Sequence, residues 1–135
     1  YRIDDQKLAT TEEISNNQVI PHKFLETILR SLKKGELIEG HRGNQGGYKL
    51  KLPPSKISLA DIIRVIDGPL AAVKGERPES VTFKGSAQHL TDVWIALRVS
   101  LRKTLEGVTL AQIESGELPT HITKAVAAPG AWTRR

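Results

Sequence analysis

The sequence predicts a mainly α-helical protein with one small β-hairpin wing, and two observations carry that prediction. Apolar residues recur three and four apart in two stretches, Phe24, Leu25, Ile28, Leu29, Leu32 and then Leu90, Val93, Trp94, Leu97, Leu101, Leu105, as one face of a helix requires. Between them a single region joins two strand-like segments, Leu37-Ile38 and Tyr48-Lys49-Leu50, through a tip holding four glycines. A short helix, a basic-faced helix, a glycine-tipped hairpin and a long apolar helix make a winged helix-turn-helix followed by a long C-terminal helix.

Each element has a local reason. Thr10 and Glu13 are spaced as a capping box and should start a short helix burying Ile14, which runs out at Asn16-Asn17. Val19 and Ile20 enter apolar, and Pro21 opens the next helix where its missing N–H costs nothing. That helix reaches Lys34, with Gly35 as its C-cap. Ser58 caps a further amphipathic helix carrying Ile62, Ile63, Val65 and Ile66, and Asp67-Gly68-Pro69 stops it. Residues 70–88 lack a period and read as loop. Val108 to Ile113 reads as one more short helix, and the tail beyond Gly116 is polar, with Trp132 able to dock or to stay loose.

The expected organisation is therefore one cooperative unit, with a DNA-reading domain over residues 1–69, a loop over 70–88, a dimerisation helix and its short successor over 89–113, and a tail over 114–135. The chain has 39% hydrophobic and 26% charged residues, ordinary for a globular protein. No apolar run approaches the roughly 20 residues of a membrane span, and no start resembles a secretory leader, so the expected location is the cytoplasm. The net charge is +5, and the segment from Ile20 to Lys51 holds seven basic residues against three acidic ones, a local excess that favours polyanions.

Chemistry is bounded from the other side. The chain has no Cys, which excludes disulfides, thiolate switches and thiolate-held zinc or iron-sulfur centres. His22, His41, His89 and His121 fall in separate elements, with no HExxH spacing, and the glycines of the wing lack the GxxxxGK[ST] order of a phosphate-binding loop. No enzyme, metal or cofactor is expected. Met is absent too, even at position 1, so the sequence is expected to start late or to have lost residues near its start.

The residues Ile20 to Leu29, Leu32 to Ile38, Arg42 to Leu50 and Ile57 to Pro69, with Trp94 and Val108-Thr109-Leu110, closely resemble the Rrf-two family of bacterial winged helix-turn-helix transcription regulators, the IscR/NsrR/CymR-like proteins. The resemblance covers most of residues 10–113. It implies a homodimer on palindromic double-stranded DNA, acting as a repressor by blocking a promoter, with the second helix in the major groove and the wing arginine in the minor groove. Carried over, Lys23 and Glu26 match base-facing positions and Arg42 the wing arginine; a Glu accepts from cytosine N4, and Arg suits a narrow, negative minor groove. Thr11, His22, Thr27, Arg30, Lys33, Gly43, Asn44, Gln45 and Tyr48 complete the expected DNA-binding set, with Lys34 and His41 as phosphate contacts or solvated charges. Leu90, Val93, Trp94, Leu97, Leu101 and Leu105 form the expected dimer surface.

Two departures from the family pattern bear on function. Only Tyr1 to Ala9 precede the capping box, so the first helix of many members is expected to be missing or incomplete, weakening dimer and core. Members that hold an iron-sulfur cluster have three Cys in the loop after Asp-Gly-Pro, whereas this loop offers only His89, Glu76 and Glu79 nearby; a cysteine-free, cluster-free regulator is expected. The effector is left open between a small molecule, a protein partner and none. A regulator working mainly through a protein partner, by way of its apolar long helix, is the alternative; steep salt dependence separates DNA binding from such a contact.

Overall fold

The computed structural model describes residues 8–43 and 46–134, which fall into two compact units, 1–57 and 58–135. The boundary lies twelve residues earlier than the sequence reading placed it, and the capped helix after Ser58 belongs to the second unit.

In the first unit, α1 (Thr11–Gln18) begins at the expected capping box: Thr10 accepts from the Glu13 amide at 3.1 Å while the Glu13 carboxylate accepts from the Thr10 amide at 2.9 Å. It ends at Val19, which takes a left-handed φ of 54°, and the Ile20 amide closes the turn onto the Ser15 carbonyl at 3.1 Å. Left-handed backbone costs a β-branched residue about 1–2 kcal/mol. α2 (His22–Lys34) follows directly, so helix, turn and helix occupy 24 residues. Its C-cap is Gly35, as expected. Gly35 has an ordinary φ of −79°, and Glu36 carries the left-handed φ of 63°, because the Leu37 amide reaches back to the Leu32 carbonyl at 3.0 Å and puts the reversal one residue later.

Strands β1 (Ile38–His41) and β2 (Gly47–Leu50) pair antiparallel, Ile38 opposite Leu50 and His41 opposite Gly47. β1 thus runs three residues further than the sequence suggested. The segment before α1 joins the sheet by a bridge in which Ala9 and Tyr48 exchange both backbone hydrogen bonds, at 2.9 and 2.8 Å. The core of this unit is Leu25, Leu29 and Ile38, with Ile14, Ile20, Leu32, Tyr48 and Leu50 packed around it. Each fully buried aliphatic side chain contributes roughly 2 kcal/mol. Phe24, expected in that core, is 62% exposed, because the helix face centred on Leu25 and Leu29 turns it toward solvent.

The second unit starts with α3 (Leu59–Ile66), for which the Asp61 amide donates to Ser58 Oγ at 3.2 Å and Asp61 Oδ2 accepts from the Ser58 amide at 3.0 Å. The loop that follows holds two 3₁₀ turns, Pro78–Ser80 and Gly85–Ala87. Helix α4 (Leu90–Leu105) packs on the first of these turns and on α3. α5 (Leu110–Ser115) is capped by a third box, Thr109 with Gln112, and the Leu59 amide donates to the Val108 carbonyl at 2.9 Å, tying the starts of α3 and α5 together. The tail folds into α6 (Thr120–Val126), and Trp132 docks only through its indole N–H on the Val126 carbonyl, its ring 85% exposed.

The Ser58 hydroxyl, chiefly, holds the Asp61 carboxyl below its ordinary value, with Arg64 adding to the effect. A lowered folded value contributes stability above the unfolded value and loses it as pH falls through the folded one. Ser58→Ala should therefore cost about 1 kcal/mol near neutrality. In denaturant titrations that gap should close as the pH drops below the usual carboxylate range.

Candidate nucleic-acid interface

Two elements of the first unit present cations. Burial of Leu25 and Leu29 turns the opposite side of α2 outward, and His22, Lys23, Glu26, Thr27, Lys33 and Lys34 are exposed on it, with Arg30 between them. His22 Nδ1 lies 3.6 Å from Glu26 Oε1, and Thr27 Oγ1 donates to the Lys23 carbonyl at 3.2 Å, which spends that hydroxyl proton on the helix. Glu26 keeps a free carboxylate oxygen to accept from a partner.

The wing sets the second group. Gly43 has a φ of 116°, and the Gly46 amide donates to its carbonyl at 2.9 Å, closing the tip; a side chain at Gly46 would stand 2.5 Å from the His41 carbonyl oxygen. Asn44 and Gln45, both expected contacts, lie outside the described residues. The bridge from Ala9 to Tyr48 carries the start of α1 to the hairpin. Thr10, Thr11, Lys33, His41, Arg42 and Tyr48, with the wing glycines, line one open cleft of about 410 Å³. Of the expected DNA-binding residues, Thr11, Lys33, Arg42, Gly43 and Tyr48 come together there, while those on the outer side of α2 do not line it. Tyr48 is half-buried against the core and its ring covers Gly40.

Charge is sorted in a way that the sequence count did not show. Lys49 pairs with Glu39 at 3.0 Å across the hairpin, His41 meets the same carboxylate at 3.2 Å, and Lys51 pairs with Glu36. The Lys49 hydrogen bond first, and that of His41 second, lower the Glu39 carboxyl from its ordinary value, so this pairing persists at neutral pH and is lost in acid. Lys23, Arg30, Lys33, Lys34 and Arg42 have no ion pair among the described residues. Their charge is left for an external anion. Thr10, read in the sequence only as a helix cap, was missed as a cleft residue, since only the pairing of Ala9 with Tyr48, far apart in sequence, brings the helix start to the wing.

A domain description, Rrf2, "Iron-dependent Transcriptional regulator", matches residues 2–115. The chain belongs to the Rrf2 family. A candidate HTH-type transcriptional regulator of Mycobacterium tuberculosis, Rv1287, is 44% identical over 117 residues, covering 87% of this chain and 73% of the relative. The HTH-type transcriptional regulator CymR of Bacillus subtilis is 28% identical over 107 residues, covering 79% and 72%. Among solved structures, B. subtilis CymR, described as the global cysteine regulator of that bacterium, superposes with a TM-score of 0.66 at 27% identity over 83% of this chain and 81% of that one. T. potens IscR gives 0.64 at 28% identity, covering 83% and 72%. The protein is a DNA-binding transcription regulator with a winged helix-turn-helix, and its family and relatives are regulators, not enzymes.

The iron of the family description finds no fitting donors here. The chain has no thiol, and among the described residues no group of three or more His, Asp or Glu converges as a metal site.

Gly46→Ala should displace the wing tip, since the clash is with backbone. Thermal unfolding should shift down by the equivalent of about 1–3 kcal/mol.

Proposed function

We propose that this regulator binds a palindromic operator in the cytoplasm as a homodimer and represses by occluding a promoter, without an iron-sulfur cluster. The observation that carries the DNA-reading part is the sorting of charge: Lys49 and Lys51 are paired with Glu39 and Glu36, whereas Lys23, Arg30, Lys33, Lys34 and Arg42 have no acidic partner among the described residues. On this reading α2 enters the major groove, where Glu26 accepts from a cytosine amino group and Lys23 meets an adjacent base or phosphate. Arg42, at the wing tip, enters the minor groove, and Lys33 with Thr11 holds the phosphates between them. A dimer sets two such readers against two half-sites, so the site has the two-fold symmetry of the protein.

Support for the dimer comes from α4. Leu90, Val93 and Leu97 are exposed, Val93 by 62%, along one side of the helix, whereas Trp94, Leu101 and Leu105 are half-buried within the unit. The expected dimer stripe thus divides into an outer set facing solvent and an inner set partly used for packing. An apolar row on a 16-residue helix is covered by a second copy at modest cost.

Selection from random duplexes at two salt concentrations tests the reading. A symmetric consensus should emerge, with affinity falling steeply with salt; no enrichment, or salt-insensitive binding, would overturn it. On the selected site, Lys33→Ala should lower the salt slope by about 0.9 with base preference kept. Glu26→Ala should relax preference at one position by about 1–3 kcal/mol, and Arg42→Ala should lose affinity mainly for A·T-rich, narrow-groove flanks. For the dimer, Val93→Asp with Leu97→Asp should yield monomers by sedimentation, with helical content unchanged because both side chains are exposed, and operator affinity down roughly tenfold or more.

A further inference from the structure

The second unit contains a cleft of about 290 Å³, near the lower end of the ~300–1,000 Å³ of small-molecule sites. Four arginines line it, Arg64 from α3, Arg77 from the loop, and Arg98 and Arg102 from α4, against a single carboxylate, Glu79, with the Gly68-Pro69-Leu70 turn as its floor. Such a gathering of like charges repels itself unless anions are present. The chain supplies only part of what is needed. Arg64 is held by Asp61 at 3.5 Å and by Glu106, and Arg98 is held by Glu79. Among the described residues, Arg77 and Arg102 have no ion pair, and Arg98 Nε is buried with no hydrogen-bond partner. A buried charged donor without an acceptor is costly, and an external acceptor would relieve it.

We infer that this arginine-lined cleft is a binding site for a small tetrahedral oxyanion, a phosphate- or sulfate-bearing metabolite, which acts as the effector. Guanidinium forks match such oxyanions by paired N–H donors, and three separate elements contribute, so a single bound anion would tie the loop to α3 and α4. Glu79, already seated on Arg98, occupies part of the space that the ligand's oxygens would take. Its role as effector rests on the reading of α4 as the dimer face; its existence as a binding site does not.

The test is calorimetric titration of the full chain, without DNA, using inorganic phosphate, inorganic sulfate and glycerol phosphate at constant ionic strength, with chloride as the control. Saturable binding of one anion per chain, with a Kd of about 1 mM or tighter for at least one probe, is expected. Binding by glycerol phosphate but not by the inorganic ions would identify an ester, and the reverse a free ion. Arg77→Gln and Arg102→Gln, both exposed positions unneeded by the core, should each weaken binding roughly tenfold, while Arg42→Ala and Lys33→Ala should leave it unchanged. A response no larger than that of chloride, or one abolished by the wing variants and not by those of the cleft, would overturn the site. Operator affinity measured with and without the bound probe then reads the effector role separately: an unchanged affinity with intact anion binding would remove that role alone.

Discussion

Burial of Leu25 and Leu29 against Ile38 is the contact on which the DNA-reading unit depends. It fixes the rotation of α2 about its own axis, and that rotation decides which eight side chains of the helix meet solvent. The same contact places β1 under α2, so the hairpin projects from the end of the helix where Lys33 lies. A second constraint, the exchange of hydrogen bonds between Ala9 and Tyr48, brings the start of α1 to the same place. Three stretches distant in sequence then share one cleft without any of them being specialised for it.

Electrostatics follow from this geometry rather than from composition. Pairing Glu39 with Lys49 across the hairpin removes a positive charge from the side of the wing and keeps the two strands in register. These exposed pairs contribute little to stability. Their larger effect is to confine uncompensated charge to the outer side of α2 and the wing tip, where steering of a polyanion is most useful.

In the second unit, capping boxes at Ser58 and Thr109 and the link from Leu59 to Val108 hold the starts of α3 and α5 in place. The loop after α3 supplies Arg77 and Glu79 to one cleft, and α4 supplies Arg98 and Arg102 to the same cleft.

The sequence by itself determined the first five helices, the capped starts at Thr10 and Ser58, the glycine-tipped wing and the family, because helical spacing, capping boxes and turn glycines act over three or four residues and are legible locally; α6, in the polar tail, was not read from it. It also located Arg42 and the cations of α2. What only the tertiary structure decided depends on residues far apart in the chain. Phe24 keeps helical spacing with Ile28, yet it faces solvent because the buried face of α2 is centred on Leu25 and Leu29. Gly35 caps α2 as its place in the sequence suggested, but the reach of Leu37 to Leu32 puts the left-handed residue at Glu36. Strand register paired Lys49 with Glu39, and the fold of the loop onto α4 gathered four arginines that are spread over 39 positions in the sequence. Charge neutralisation depends on distances through space, so no count along the chain could have revealed it.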